Sequence, residues 1–137
     1  SADHALDDDV LELRAGLVPA FDELDIEAVL MGHDHGYVRT YQMEGNQVVG
    51  EITYNEEGAA VDPDGTVYLT GNSASDSKYY DMRGPSVYER YSAVALQLEE
   101  PTYMNVEVTD DSLTFTTYKV SNLSVVDAYS IVKTVGE

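Results

Sequence analysis

Two of the three histidines of this chain sit two residues apart in Gly32-His33-Asp34-His35-Gly36-Tyr37. Imidazole is a good ligand for zinc, iron and manganese, and its second ring nitrogen can be oriented by a carboxylate or carbonyl. Side chains two apart share a face of an extended segment, so His33 and His35 are expected to point the same way. Gly32 and Gly36 would let the backbone come close to an ion or phosphate. A His-x-His spacing is not specific by itself, and two loop histidines without a ligand are the plain alternative. Tyr37 and Arg39 continue the His35 side of the pattern, where they would brace the loop or reach substrate. A buried ring and an Arg paired to a carboxylate is the structural alternative.

The pair follows the apolar run Ile26, Ala28, Val29, Leu30, Met31. This run predicts a short buried strand over about residues 27–31, and strand-to-loop junctions are where α/β proteins place ligand sites. Upstream, Asp7, Asp8 and Asp9 precede Val10, Leu13, Leu17, Phe21 and Leu24. That spacing predicts an amphipathic helix with acidic residues at the favourable end of its dipole, kinked or broken at Pro19. Helix followed by strand is half of an α/β unit, so the opening residues are expected to belong to the middle of a fold.

After Tyr37 the pattern becomes β-rich. Residues 37–43 and 47–54 form a candidate hairpin around Glu44-Gly45-Asn46, and Asp62-Pro63-Asp64-Gly65 reads as a turn. Residues 55–65 are expected to form a loop, 66–70 a strand, and 71–86 a long loop holding Asp76, Lys78, Tyr79 and Tyr80. Four further strands are expected at 92–98, 103–108, 113–120 and 128–132. The expected class is α+β: one helix, one short buried strand, then a mostly antiparallel sheet. The chain is taken as a single unit over 1–137, with a helix, strand and metal loop in 1–36 and a β-rich part in 37–137.

Composition excludes several functions. Seven basic against twenty-six acidic residues give a formal charge of −19 over 137 residues. Binding to nucleic acid through a basic patch and binding to anionic membranes are both disfavoured. No apolar run reaches the roughly 18 residues that span a bilayer. The absence of cysteine removes disulfides, thiolate nucleophiles and cysteine metal sites. No nucleophile elbow, phosphate-binding loop, dinucleotide fingerprint or EF-hand is present.

The longer string Gly32-His33-Asp34-His35-Gly36-Tyr37-Val38-Arg39-Thr40-Tyr41 resembles the C-terminal metal motif of calcineurin-like metallophosphoesterases. It is most similar to their purple acid phosphatase-like branch, whose pattern is Gly-His-x-His-x-Tyr-Glu-Arg-Thr. Val38 stands where that pattern has Glu. Leu13-Arg14 through Ile26, and Thr66 to Gly71 with Ser73, Ser75, Ser77, Lys78 and Tyr79, are also similar to that branch.

The resemblance implies the C-terminal part of an α/β/β/α sandwich and hydrolysis of phosphomonoesters or phosphodiesters. It further implies two divalent or mixed-valence ions (Fe, Zn or Mn), one bound by His33 and the other by His35. Two such ions orient the phosphate and generate the attacking hydroxide. Tyr37, Arg39 and Tyr79 are then candidate substrate-binding residues, and His4 a candidate proton donor to the leaving group.

The family's earlier ligand motifs, Asp-x-His, Gly-Asp and Gly-Asn-His, are absent, and Gly71-Asn72 is followed by Ser73. The expected partners are therefore a phosphoester substrate and the missing N-terminal part of the same domain. Alone, the chain is expected to be nearly inactive and to bind metal weakly, because affinity depends on a full ligand set. The resembled branch is often exported, which points to an extracytoplasmic parent. Two other readings stand beside this one. The first is a noncatalytic β-rich binding domain that self-associates through an exposed sheet edge. The second is an independent mononuclear site built from His33, His35 and nearby carboxylates.

Overall fold

The computed structural model describes residues 7–75, 78–82 and 90–134. Its elements are α1 (Asp8–Glu23), β1 (Ala28–Met31), β2 (Tyr37–Glu44), β3 (Gln47–Val48), β4 (Ala60–Val61), β5 (Thr66–Thr70), β6 (Ser92–Leu96), β7 (Thr102–Val108), β8 (Ser112–Lys119) and β9 (Val125–Val132). The expected α+β class is the observed one. The strands form two sheets, one ordered β1-β5-β2-β3 with β6 also on β2, the other β4-β9-β8-β7. Among the described residues β1–β5 and β4–β9 pair in parallel; the remaining pairs are antiparallel, as the short turns of β2–β3, β7–β8 and β8–β9 require for those three.

The sheets meet where the inward faces of their strands carry apolar residues. Val67 and Leu69 of β5 close against Phe115 of β8, Ile131 and Tyr129 of β9, and Ala60 of β4. Period two along β9 puts Asp127, Tyr129 and Ile131 on one face, which is the face turned to the other sheet.

Four local expectations need correction. The helix runs unbroken through Pro19. None of its residues is fully buried, and Leu13, Leu17 and Leu24 of its apolar stripe are exposed. It touches the sheet through Phe21, whose ring lies 6.5 Å from that of Tyr68, and through Asp22, which accepts from the Gly45 amide at 3.0 Å. The strand after it falls where expected but is only partly buried, with Leu30 55% and Met31 43% exposed. The reason is topological: among the described residues β1 has β5 on one side and no strand on the other. An apolar run suits a parallel strand covered on both faces, and this one lies at an edge.

Two-residue β4 lies within the stretch expected to be a loop, and the second arm of the first hairpin ends at Val48 rather than 54. The hairpin turn itself is Gly45-Asn46, with positive φ of 54° and 62° at its two residues between the paired Glu44 and Gln47. That backbone matches the right-handed twist of the flanking strands.

Among the described residues no helix is long and apolar enough to cross a membrane.

Candidate functional site

The histidine loop leaves the C-terminal end of β1 and returns as β2, so it occupies the rim of the first sheet. Both flanking strands are pinned by β5, in parallel to β1 and antiparallel to β2. The loop is not extended: His33 to Gly36 form bends, and His33 adopts a left-handed φ of 76°. Strand periodicity therefore does not set the relative directions of the two imidazoles. His33 is exposed and His35 half-buried.

His35 is anchored on several sides. Its Nδ1 meets the carbonyl oxygen of Lys78. A carbonyl can only accept, so this contact places a proton on Nδ1; in the neutral ring Nε2 then carries the lone pair, the arrangement that suits metal ligation. The Tyr80 ring stacks on the imidazole at 5.4 Å between centroids. Gln97 then ties both segments together, its Nε2 donating to the carbonyls of His35 and Tyr80, each at 2.7 Å. Gly36 faces the Met82 sulfur, which an added Cβ would approach to 3.0 Å. Residues 78–82 thus form the back wall of the loop.

Tyr37 and Arg39 lie in the interior. Tyr37 is 1% exposed and its hydroxyl donates to Asp127 Oδ2 at 2.7 Å. Arg39 grips the same carboxylate with two bonds, Nε to Oδ2 at 2.7 Å and a terminal nitrogen to Oδ1 at 3.1 Å. Its guanidinium also stacks 4.6 Å over the Tyr129 ring. These contacts join β2 of one sheet to β9 of the other. Burial alone would raise the Asp127 carboxyl, but the Arg39 and Tyr37 hydrogen bonds and the Arg39 charge outweigh it and hold it below the usual carboxylate range.

The Tyr37 phenol is pushed above its ordinary range, first by burial and then by the hydrogen bond and charge of Asp127. Burial raises Tyr129 and Tyr68 as well. A raised folded-state value means that unfolding releases a proton once the free phenol ionises. The stability so conferred is complete below about pH 10 and is lost as pH rises beyond it. Base titration should therefore show tyrosinate absorbance and loss of β-sheet circular dichroism rising together. Full ionisation of all eleven tyrosines with the sheets intact would overturn this.

Tyr79 is half-buried in the 78–82 wall, and Asp34 and Lys78 are exposed. His4 and Asp76 lie outside the described residues. Asp127 and Gln97 were not singled out from sequence, although one signal for Asp127 was present. A carboxylate on the apolar face of an alternating strand must find a buried partner, and Arg39 is that partner.

Two imidazoles are the metal-ligand chemistry on show. Among the described residues no group of three or more His, Asp or Glu side chains is placed to hold an ion. These residues do not form a complete metal site of their own.

No family model matches the chain, and no curated protein matches it in sequence. The fold itself is found among solved structures: an α+β arrangement of this kind forms part of a purple acid phosphatase. The structure of purple acid phosphatase PPD1 from yellow lupin (Lupinus luteus) seeds matches with a TM-score of 0.62 at 17% identity over 85% of this chain. The match takes in 19% of that protein, so the chain spans about a fifth of its length.

Proposed function

We propose that this chain is the C-terminal part of a two-metal phosphoester hydrolase, to which it contributes His33 and His35. One observation carries the reading. The string from Gly32 to Thr40 forms the β1–β2 loop and the first residues of β2 in a fold shared with a stretch of a purple acid phosphatase. The two metals, Fe, Zn or Mn, would supply a polarised phosphate and a hydroxide nucleophile. This chain would supply one imidazole to each, with His35 oriented through the Lys78 carbonyl. The remaining ligands would come from strands added beside β1, whose edge is unpaired among the described residues and whose exposed Leu30 and Met31 are suited to a parallel neighbour.

The test compares the purified chain with a longer polypeptide carrying the preceding codons of its gene. Metal content and hydrolysis of p-nitrophenyl phosphate are measured on both. Two ions and turnover are expected only in the longer form, and His35→Ala there should remove turnover and at least one ion. Paired metals in neither form would sink the proposal. The second reading, a noncatalytic self-associating domain, rests on the exposed edge residues Val106 and Val108 of β7. Dimers by sedimentation in the absence of metal and turnover would favour it.

A further inference from the structure

Gln97 is the first residue beyond β6, and strand register sets it beside the histidine loop. Leu96 pairs with Tyr37 across β6 and β2, so antiparallel continuation puts Gln97 opposite Gly36. Gly36 has no side chain to bar the approach. An added Cβ would stand 3.0 Å from the Met82 sulfur and 3.9 Å from Gln97 Nε2. A glycine here lets one carboxamide reach the loop and the 78–82 wall together.

Each polar atom of that carboxamide is engaged. Its Nε2 donates to the carbonyls of His35 and Tyr80, and its Oε1 accepts from the Glu99 amide at 3.1 Å. The partners fix which way the amide lies. Two carbonyls can only accept and a backbone N–H can only donate, so the reversed amide would lose all three bonds.

With the imidazole contact, these bonds close a cycle around His35. It runs from Nδ1 to the Lys78 carbonyl, along the backbone to the Tyr80 carbonyl, then through Gln97 Nε2 to the His35 carbonyl. Gln97 makes two of its three hydrogen-bonded links. The Tyr80 ring stacked on the imidazole is a second tether of a different kind. A stack does not distinguish the two ring nitrogens, whereas a carbonyl held against one of them does.

We infer that Gln97 is a positioning residue. By holding residues 78–82 against the loop it fixes the neutral His35 ring as the Nδ1–H tautomer, with Nε2 carrying the lone pair. Service of that nitrogen to a metal ion rests on the phosphoesterase reading. The tautomer itself needs neither metal nor turnover, so the inference and that reading can fail separately.

The test is long-range proton–nitrogen NMR of the chain labelled with 15N-histidine, at about pH 8.5, where an ordinary imidazole is neutral. His35 Nδ1 should resonate as a protonated nitrogen and Nε2 as a bare one. Gln97→Met keeps the side-chain length and removes both donors. Gln97→Glu keeps the shape and the acceptor for Glu99 while removing the same donors. Each should lower the ratio of the Nδ1–H to the Nε2–H form by roughly five- to tenfold, the worth of about one net hydrogen bond, with the backbone amides of β8 and β9 unmoved. Tyr80→Ala, at an exposed ring, removes the stack but keeps the carbonyl that Gln97 holds, and should leave the ratio near that of the unaltered chain. In the longer polypeptide, Gln97→Met should weaken metal retention against a competing chelator by roughly ten- to a hundredfold. An Nε2–H ring in the unaltered chain, an unchanged ratio in both Gln97 variants, or an equal loss in Tyr80→Ala would overturn the inference. An unchanged metal affinity in the longer Gln97→Met polypeptide would overturn the service to the ion.

Discussion

Asp127→Ala should destabilise the chain by about 3–5 kcal/mol, the cost of leaving a buried charge without its counterion. The side chains of Arg39 and Asp127 are 13% and 11% exposed, so the stranded guanidinium stays largely out of bulk water. Truncation also strips the Tyr37 hydroxyl of its acceptor. Chemical denaturation of the variant should show a lowered midpoint with an unchanged slope. A loss below about 1 kcal/mol, the range of solvent-exposed pairs, would refute a buried role.

The network also predicts how the loss depends on its partner. Replacing Arg39 and Asp127 together with apolar residues of similar size should cost much less than Asp127→Ala, because no charge is then stranded. The pH dependence has a definite sign. Asp127 is held below its ordinary value in the folded chain, so its contribution is complete above about pH 4 and is lost as pH falls through the depressed value. The Asp127→Ala variant should lose that part of the acid limb and keep the remainder.

The histidine loop was legible because its signal is local: glycine, two histidines and glycine directly after an apolar run. The turns at Gly45-Asn46 and Asp62–Gly65 were legible for the same reason, since turn chemistry is written in adjacent residues. What escaped the sequence is tertiary. Arg39 and Asp127 are 88 residues apart, and nothing near Arg39 distinguishes this carboxylate from the twenty-five other acidic side chains of the twenty-six. The burial of β1 was overestimated because an apolar run does not disclose whether neighbours lie on both sides. For β4, two residues paired in parallel with β9 leave no periodicity to detect. The extended geometry expected for His33 and His35 gives way to bends over His33 to Gly36, with a left-handed φ at His33.

Gly65→Ala should cost about 2–5 kcal/mol, combining a non-glycine residue in the left-handed region with a steric conflict. Gly65 has φ of 77°, and a Cβ there would lie 2.5 Å from the Met43 carbonyl oxygen, 2.9 Å from its carbon and 2.9 Å from Val49 Cγ2. Backbone cannot swing aside as a side-chain tip can, so the turn or the β2–β3 hairpin must move. Both sit on β5: Thr66, the next residue, pairs with Met43, and the same strand holds β1 in register. Displacing the turn therefore strains the two strands between which the histidine loop hangs. Gly58 supplies the control. Its φ is 81°, but nothing lies within 4 Å of the added Cβ, so Gly58→Ala should cost only the backbone part, about 1–2 kcal/mol. Thermal or denaturant unfolding of the two variants separates torsional strain from collision. Equal losses would mean that the close approach to Met43 contributes nothing, and that β5 is not held by this turn.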